Sequence, residues 1–252
     1  MRLLNIGTFG FEEFFNDENV PKYATLSHTW GNDEVTFQDL SGPLGLAKTK
    51  EGFQKILFCS NQALIDGLTH VWIDTCCIDK TSSAELTEAI NSMYRWYKEA
   101  EVCYVYLADV SNPPSTLFIA ESEECQKFWD IFAKSRWFTR GWTLQELIAP
   151  SKLSFYSREW LTIGQEISVN NKLVEKVSTI TGIRVEVLQG YPPGKICVAE
   201  RMRWAARRKA TRPEDMAYSL MGIFDVNMPI IYGEGGRKAF IRLQEGFYPL
   251  AF

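Results

Sequence analysis

The residue types best suited to chemistry gather around one carboxylate. In the sequence WTLQE, Glu146 follows Trp142 by four positions, and Arg136 and Arg140 lie just upstream. A carboxylate beside a sugar can accept hydrogen bonds from its hydroxyls and stabilise positive charge that develops on the ring. Aromatic side chains can stack on the rings of a ligand, and guanidinium groups bind phosphates. This stretch is therefore a candidate site for binding and cleaving a phosphorylated, sugar-containing ligand.

The same residues also have ordinary structural interpretations. Thr143 precedes Glu146 by three positions, which fits a capping box in which the glutamate hydrogen-bonds the start of its own helix. Trp142 could pack in the core. Arg136 and Arg140 could be solvated or paired with acidic side chains. The residues alone leave the catalytic and the structural interpretations open.

The elements that must position these residues alternate along the chain. Helical patterns separate four β-prone or continuously apolar runs, at 23–27, 70–78, 102–107 and 153–156. Continuous apolar runs suit strands that are covered on both faces, and their alternation with helices favours a mostly parallel, doubly wound sheet. The sequence predicts an α/β core over 1–160, with an exposed acidic insertion at about 109–127. A helical extension over 161–252 is expected to pack on that core as one unit.

Ligands of such sheets bind beyond the carboxyl ends of the strands. Ser27 and Gly31 follow the first strand and would admit a ligand close to the backbone, while Trp30 could stack on it. Asp74 lies in an apolar run and Asp79 follows it. A buried carboxylate needs partners, so Asp74 either binds the ligand or hydrogen-bonds a loop amide. With Glu146 as the catalytic candidate, the predicted substrate-binding set is Ser27, Trp30, Gly31, Asp74, Asp79, Arg136, Arg140 and Trp142.

Composition limits the remaining classes of function. The net charge of −4 gives no support to nucleic-acid binding, and the basic run at 201–212, flanked by acidic residues, is interpreted as a solvated helix face. The six cysteines form no C-x-x-C pair and have no histidines at zinc spacing, so we expect no metal site and mostly buried, reduced thiols. No apolar run is long enough to span a membrane. These features are typical of a cytoplasmic globular protein.

Four sequence blocks resemble a known family. They are YATLSHTWG at 23–31, WIDTCCIDK at 72–80, RWFTRGWTLQEL at 136–147, and EDMAYSLMGIF at 214–224 followed by YGEG at 232–235. Their order and spacing are similar to those of the fungal heterokaryon-incompatibility (HET) domain, and the resemblance spans nearly the whole chain. It implies a role in fungal non-self recognition and programmed cell death. The closing block resembles incompatibility proteins that continue into a nucleotide-binding oligomerisation module and WD repeats.

The resemblance also implies an enzymatic activity. HET domains are considered distant relatives of TIR domains, whose flavodoxin-like fold has a similar order of strands and helices. TIR enzymes cleave the nicotinamide–ribose bond of NAD with a glutamate in a W-x-x-x-E pattern, which Trp142 and Glu146 match. The implied activity is an NAD glycohydrolase with Glu146 as the catalytic residue, NAD as substrate and no further cofactor. A self-associating signalling module without catalysis, or a hydrolase of another nucleotide, remains an alternative.

Overall fold

One seven-stranded sheet forms the centre of the molecule. The computed structural model describes residues 1–15, 19–119, 121–165, 167 and 171–247. The strands are β1 (Arg2–Asn5), β2 (Phe11–Glu13), β3 (Tyr23–His28), β4 (His70–Ile73), β5 (Val102–Tyr106), β6 (Leu153–Tyr156) and β7 (Thr162–Gly164). They lie side by side in the order β2-β1-β4-β3-β5-β6-β7.

The four predicted strands form the parallel centre of this sheet. Strand β3 pairs in parallel with β4 on one side and with β5 on the other, and β6 continues the parallel pairing beyond β5. The chain therefore leaves β3 in one direction to make β4 and crosses back to make β5. This reversal creates a topological switch point between β3 and β5, the place at which sheets of this kind bind ligands. The predicted mostly parallel α/β sheet is confirmed.

The edges of the sheet were not predicted. Strands β1 and β2 form an antiparallel hairpin whose inner strand also pairs antiparallel with β4. Strand β7 pairs antiparallel with β6, so the sheet continues to Gly164, inside the segment that was expected to be a helical extension. These strands contain only three or four residues each, which is too short for an alternating pattern to stand out in the sequence.

Helices cover the sheet and make up most of the C-terminal part. They are α1 (Phe37–Ser41), α2 (Leu44–Ala47), α3 (Phe53–Ile65), α4 (Ser83–Glu99), α5 (Glu123–Ala133), α6 (Thr143–Ile148), α7 (Asn171–Thr181), α8 (Val185–Leu188), α9 (Val198–Ala205), α10 (Asp215–Tyr218), α11 (Met221–Phe224) and α12 (Gly236–Phe247). Two short 3-10 helices occupy Arg136–Thr139 and Pro193–Lys195. None of the helices in the described ranges is both long and apolar enough to cross a membrane.

Helix α4 is the best-defined of the predicted helices. Its buried face carries Ile90, Met93, Trp96 and Tyr97, as the helical spacing predicts. The rings of Trp96 and Tyr97 pack on Trp72 of β4, with centroids 5.5 and 5.4 Å away. Aromatic pairs at this distance add to the stabilisation from burial. They fix α4 against the strand whose end carries Asp74.

The predicted insertion at 109–127 is more ordered than expected. It contains turns at 115–119 and the first residues of α5, and only part of it is exposed. Val110, Leu117 and Cys125 are buried and anchor it to the rest of the molecule. The acidic residues that suggested an exposed insertion include Glu123 and Glu124, which lie in the first turn of α5, where negative charge favours helix formation.

The C-terminal segment packs closely on the core. A Cβ built on Gly222 of α11 would lie 2.1 Å from the Cβ of Tyr94 on α4, so only glycine permits this approach. The side-chain amide of Asn91 on α4 also donates to the backbone oxygen of Met228, at 3.2 Å. The C-terminal segment is thus held against the helix that follows Asp74.

Candidate active site

A cavity of about 250 Å³ opens beyond the carboxyl ends of β3 and β4. Its walls come from both strand ends, from α4 and α6, and from the C-terminal segment. Of the nine predicted site residues, five line it: Trp30, Asp74, Arg140, Trp142 and Glu146. These residues lie on three separate loops or helices in the sequence, and the parallel sheet brings them to one place.

Glu146 lies in the deepest part of this site. Its helix, α6, is short and entirely buried, and the Glu146 residue is only 5% exposed. The hydroxyl of Ser27, at the end of β3, donates a hydrogen bond to Glu146 Oε2, and the indole of Trp137 donates to the same hydroxyl at 2.7 Å. Ser27 therefore lies beneath the cavity, where it holds the carboxyl group in place.

Burial raises the pKa of Glu146 to about 8, and the negative charge of Asp74 contributes to the rise. The hydrogen bond from Ser27 and the positive charges of Arg140 and Arg208 oppose it. Glu146 is therefore mostly protonated at neutral pH. Titration so far from the usual range of a glutamate is typical of functional carboxyl groups.

The capping-box interpretation of Glu146 is wrong. Helix α6 begins after Trp142, which makes no side-chain cap, and Thr143 is the first helical residue. The Thr143 hydroxyl lies 3.0 Å from the backbone oxygen of Arg140 and accepts a hydrogen bond from Arg208 at 2.9 Å. The side chains of Thr143 and Glu146 are thus both used in tertiary contacts.

Asp74 ends a chain of hydrogen bonds that begins at Lys55 of α3. The ammonium group of Lys55 lies 3.2 Å from His28 Nδ1, and His28 Nε2 lies 3.1 Å from Asp74 Oδ1. An ammonium group can only donate, so Nδ1 accepts and the proton on Nε2 points to Asp74. The indole of Trp30 donates to the other oxygen, Oδ2, at 2.9 Å. Both oxygens of Asp74 therefore accept a hydrogen bond from an aromatic ring.

These donors keep Asp74 ionised. Burial alone would raise its pKa, but the hydrogen bond from His28, the positive charge of Lys80 and the hydrogen bond from Trp30 lower the pKa of Asp74 to about 2. The Lys80 ammonium also lies 4.2 Å from the centre of the Trp30 ring, in a cation–π contact. The partners of Asp74 are side chains rather than the loop amide considered from the sequence.

Three predicted site residues lie away from the cavity. The backbone N–H of Gly31 donates to Glu34 Oε1 at 2.6 Å, which fixes the loop after β3. Asp79 accepts hydrogen bonds from Thr81 and caps its own turn. Arg136 is exposed, and its Nε lies 3.9 Å from a carboxylate oxygen of Asp109. The contacts of all three residues stabilise the surrounding loops.

The sequence analysis missed one wall of the cavity. Thr211, Arg212, Asp215 and Tyr232 line it from the C-terminal segment. The Tyr232 hydroxyl donates to Asp215 Oδ1 at 3.0 Å, and Arg212 Cζ lies 4.0 Å from the centre of the Tyr232 ring. Asp215 and Tyr232 belong to the closing sequence blocks at 214–224 and 232–235, whereas Thr211 and Arg212 lie outside them. The whole segment was assigned to an extension packed on the core, and none of the four was assigned to the site.

Arg208 is a second residue that was misjudged. It belongs to the basic run that was interpreted as a solvated helix face, yet it is only 5% exposed. Its Nη1 donates to the backbone oxygen of Arg140 at 2.8 Å and to Thr143. Burial lowers the pKa of Arg208 to about 10 although the charge of Glu146 acts in the opposite direction. Arg208 therefore places a buried positive charge under α6.

The backbone next to Arg208 strengthens this connection. Lys209 N donates to Thr139 O at 2.7 Å, and Gly141 N donates to Lys209 O at 2.8 Å. The loop that leads into α6 is thus paired with the C-terminal segment as a short parallel bridge between Arg140 and Lys209.

A cluster of His, Cys, Asp and Glu side chains suited to a metal ion is not found in the part of the chain that the structure describes.

The fold and the site define an α/β protein whose buried glutamate faces a cavity at the end of a parallel sheet. Residues 23–127 match the profile of the family described as heterokaryon incompatibility protein (HET). The chain is also 52% identical, over 228 residues and 90% of its own length, to vegetative incompatibility protein HET-E-1 of Podospora anserina. It carries a HET domain, as the sequence blocks indicated.

The chain spans only 16% of the length of that relative. No solved structure shows significant similarity to this chain. The matched profile covers β3, β4 and β5 but ends before Glu146, whereas the similarity to the Podospora protein extends over most of the chain.

Proposed function

We propose that this chain is the effector domain of an incompatibility protein and that it triggers cell death in fungal non-self recognition by hydrolysing the nicotinamide–ribose bond of NAD. The observation that carries the proposal is the position of Glu146. Its carboxyl group is buried, is held by Ser27 and faces a cavity at the carboxyl ends of parallel strands. The HET domain and the similarity to an incompatibility protein support the biological role.

The strand order supports the relationship to TIR domains. Counted along the chain, the four parallel strands lie in the order second, first, third, fourth. Flavodoxin-like sheets share this order and bind their ligand at the switch point between the first and third strands. Ser27 ends the first of these strands, so the residue that holds Glu146 lies at that point.

The cavity offers a suitable environment for each part of the reaction. The nicotinamide ring of NAD is cationic, and Asp74 supplies a fixed negative charge at the indole N–H edge of Trp30, whose ring face contacts the Lys80 ammonium. Entry of this cation favours ionisation of Glu146, because opposite charges stabilise one another in a site that excludes water. Glu146 would then face the ribose, where positive charge develops.

The bond-breaking step needs no strong general acid. The C–N bond breaks with both electrons going to the nicotinamide nitrogen, so nicotinamide leaves as a neutral molecule. The ribose becomes an oxocarbenium ion, which the Glu146 carboxylate stabilises. Water then adds to the anomeric carbon and loses a proton, and ADP-ribose is formed. A preorganised charge of this kind contributes roughly 100-fold to 1000-fold in rate.

The proposal includes control by self-association. An NAD hydrolase would be toxic if it were always active, and the relative is much longer than this chain. We therefore propose that nucleotide-binding oligomerisation and WD-repeat modules follow this domain in the full-length protein and cluster it. In that case the activity per molecule rises with protein concentration, which light scattering and activity measured over one concentration series would test.

The direct test of the proposal is nicotinamide release from NAD by the concentrated domain, measured by chromatography. The variants are Glu146→Gln, which keeps the size of the side chain, and Glu175→Gln as a control on the exposed surface of α7. We expect release by the wild type and by Glu175→Gln, and a loss of at least about 100-fold in Glu146→Gln. Release that persists in Glu146→Gln would contradict the role of Glu146.

If the wild type releases no nicotinamide even when it is artificially clustered, hydrolysis of NAD is excluded. Toxicity of the Glu146→Gln protein in cells would then identify a self-association module. Loss of that toxicity would identify hydrolysis of another nucleotide through the same cavity.

A further inference from the structure

The two arginines that line the cavity differ from most others in the chain. The side chains of Arg184 and Arg242 each form an ion pair at 2.6 Å, with Glu200 and Glu234 respectively. The guanidinium of Arg140, in contrast, has neither a hydrogen-bond partner nor an ion-pair partner among the residues that the structure describes. A guanidinium carries five N–H donors, so Arg140 has its full donor capacity available to a ligand.

Arg212, which lies in the C-terminal segment, resembles Arg140 in its lack of polar partners among the described residues. Its guanidinium stacks on the ring of Tyr232, at 4.0 Å from the centre, and within the described ranges it makes no hydrogen bond or ion pair. Stacking holds the plane of the guanidinium while its N–H groups at the edge stay free. Arg140 and Arg212 thus bring two available guanidinium groups to one cavity from different parts of the chain.

Contacts of Asp215 fix the cavity wall that carries Arg212. The Tyr232 hydroxyl donates a hydrogen bond to Asp215, and burial raises the pKa of Asp215 while its interactions with Tyr232 and with the nearby Trp142 lower it. Asp215 therefore lies between the C-terminal segment and the loop that carries Arg140, where it acts as a positioning group.

The loop after Tyr232 explains the glycines of the YGEG sequence. The carboxylate of Glu214 accepts hydrogen bonds from the backbone N–H groups of Gly233 and Gly235, both at 3.0 Å. Both glycines have positive φ, 96° and 83°, which other residues adopt only with strain. These contacts form a tight turn, which fixes Tyr232 against Arg212.

The charged groups of the cavity come from different segments of the chain, and Lys80 and Asp215 line it as well. The carboxyl groups of Asp74 and Glu146 come from the strand end of β4 and from α6, and suit a cationic ring and a sugar. Arg140 and Arg212 come from the loop before α6 and from the C-terminal segment, and suit an anion with several acceptor oxygens. A planar guanidinium fork matches two oxygens of a phosphate, so two forks match a diphosphate.

We propose that Arg212 and Arg140 bind the diphosphate of a dinucleotide from two sides, which makes the C-terminal segment part of the substrate site. The identification of the dinucleotide as NAD rests on the proposed function, whereas the binding of the diphosphate does not require that it be hydrolysed. Arg212 is then a specificity-determining residue: it selects ligands that carry a diphosphate over the corresponding nucleosides.

The test uses the full chain and ADP-ribose, which contains the diphosphate and has no bond to be cleaved by the proposed activity. Calorimetry would measure its Kd for the wild type and for Arg212→Gln, Arg140→Gln and Arg207→Gln. Arg207 is the matched control, because it is an exposed arginine of the same segment outside the cavity. We expect each of the first two variants to bind about tenfold more weakly or worse, and the control to bind as the wild type does.

A second measurement separates this proposal from the proposed function. Nicotinamide riboside lacks the diphosphate, so Arg212→Gln should raise KM for NAD hydrolysis and leave hydrolysis of the riboside unchanged. If ADP-ribose binds and the Arg212 variant weakens it while no nicotinamide is released, the diphosphate site stands and the hydrolase proposal fails. Wild-type protein that does not bind ADP-ribose, or an Arg212→Gln variant that binds it normally, would overturn the diphosphate site.

Folding of the variants is checked by thermal melting. If Arg212→Gln is unstable, Arg212→Lys keeps the charge but loses the planar fork, and we expect it to weaken ADP-ribose binding several-fold at an unchanged Tm. Wild-type affinity in a folded Arg212→Lys protein would show that a charge alone is sufficient and would contradict a bidentate contact.

Discussion

Asp74 and Glu146 line the same cavity but have opposite protonation states at neutral pH. The pKa of Asp74 lies at about 2 and that of Glu146 at about 8. Burial pushes both values upward, so burial alone cannot separate them. The difference comes from the hydrogen-bond donors and the nearby charges that act on each carboxyl group.

The surroundings of Asp74 are rich in donors. His28 and Trp30 each donate to one of its oxygens, and Lys55 fixes the tautomer of His28 from behind. Glu146 receives one hydroxyl hydrogen bond, from Ser27. Pairs of carboxyl groups with separated pKa values are typical of sites in which one group stays charged and the other changes its state during the reaction. In this site Asp74 is the permanent anion.

The largest effect is expected from removing that anion. Asp74→Asn should lower nicotinamide release by about 100-fold, because the cationic ring loses its counter-charge. The same substitution should lower the pKa of Glu146, since the charge of Asp74 contributes to raising it. The residual activity of Asp74→Asn should therefore rise with pH at a lower pH than that of the wild type. A profile at the wild-type position would show that the two groups are not coupled.

The second largest effect is expected for Glu146→Gln, on the pH dependence of the free energy of unfolding. Glu146 keeps its proton up to about pH 8 in the folded state, whereas in the unfolded chain it ionises near its ordinary pKa of about 4.3. Between these values the folded state binds more protons, so raising the pH through this window lowers the free energy of unfolding. Glu146→Gln removes this loss because the amide resembles the protonated acid.

Thermal melting at several pH values would measure this difference. We expect the Tm of Glu146→Gln to equal that of the wild type near pH 4 and to exceed it by about 5 °C at pH 8. Glu175→Gln should follow the wild type at every pH. A constant offset between Glu146→Gln and the wild type would contradict a raised pKa of Glu146.

The smallest effect is expected at Arg208. Arg208→Lys keeps a positive charge but cannot reproduce both hydrogen bonds from Nη1, to Arg140 O and Thr143 Oγ1. We expect a loss of about 1–2 kcal/mol in the free energy of unfolding, measured by urea denaturation. Lys209→Arg, a change at the exposed neighbour, is the control. An unchanged stability of Arg208→Lys would mean that Arg208 does not support α6.

The parallel centre of the fold and half of the site could be predicted from the sequence. The runs that form β3 to β6 are apolar and separated by clear helical patterns, and parallel pairing places their ends together. This rule correctly brought Trp30 and Asp74 to one cavity, whereas Glu146 was selected by the W-x-x-x-E pattern. The rule could not exclude Asp79 from the cavity, because position at a strand end does not determine the direction of a side chain.

The other half of the site depends on contacts between distant segments. Arg208 looks like any member of a basic run, and only the packing of the C-terminal segment against the loop before α6 shows that it is buried. The same packing places Arg212 and Tyr232 in the cavity wall. Local patterns carry no information about which helices meet, so the roles of Arg208 and Arg212 could be recognised only in the folded structure.

The central claim is that Glu146 acts as a carboxylate whose pKa is raised by its burial. It is tested most directly by kcat/KM for nicotinamide release from NAD between pH 5.5 and pH 9.5, since this ratio reports the pKa of the free enzyme. The structure predicts a rate that rises with pH and levels off above a midpoint of about 8. A rate that is flat or falls over this range, or the absence of release at every pH, would contradict the claim.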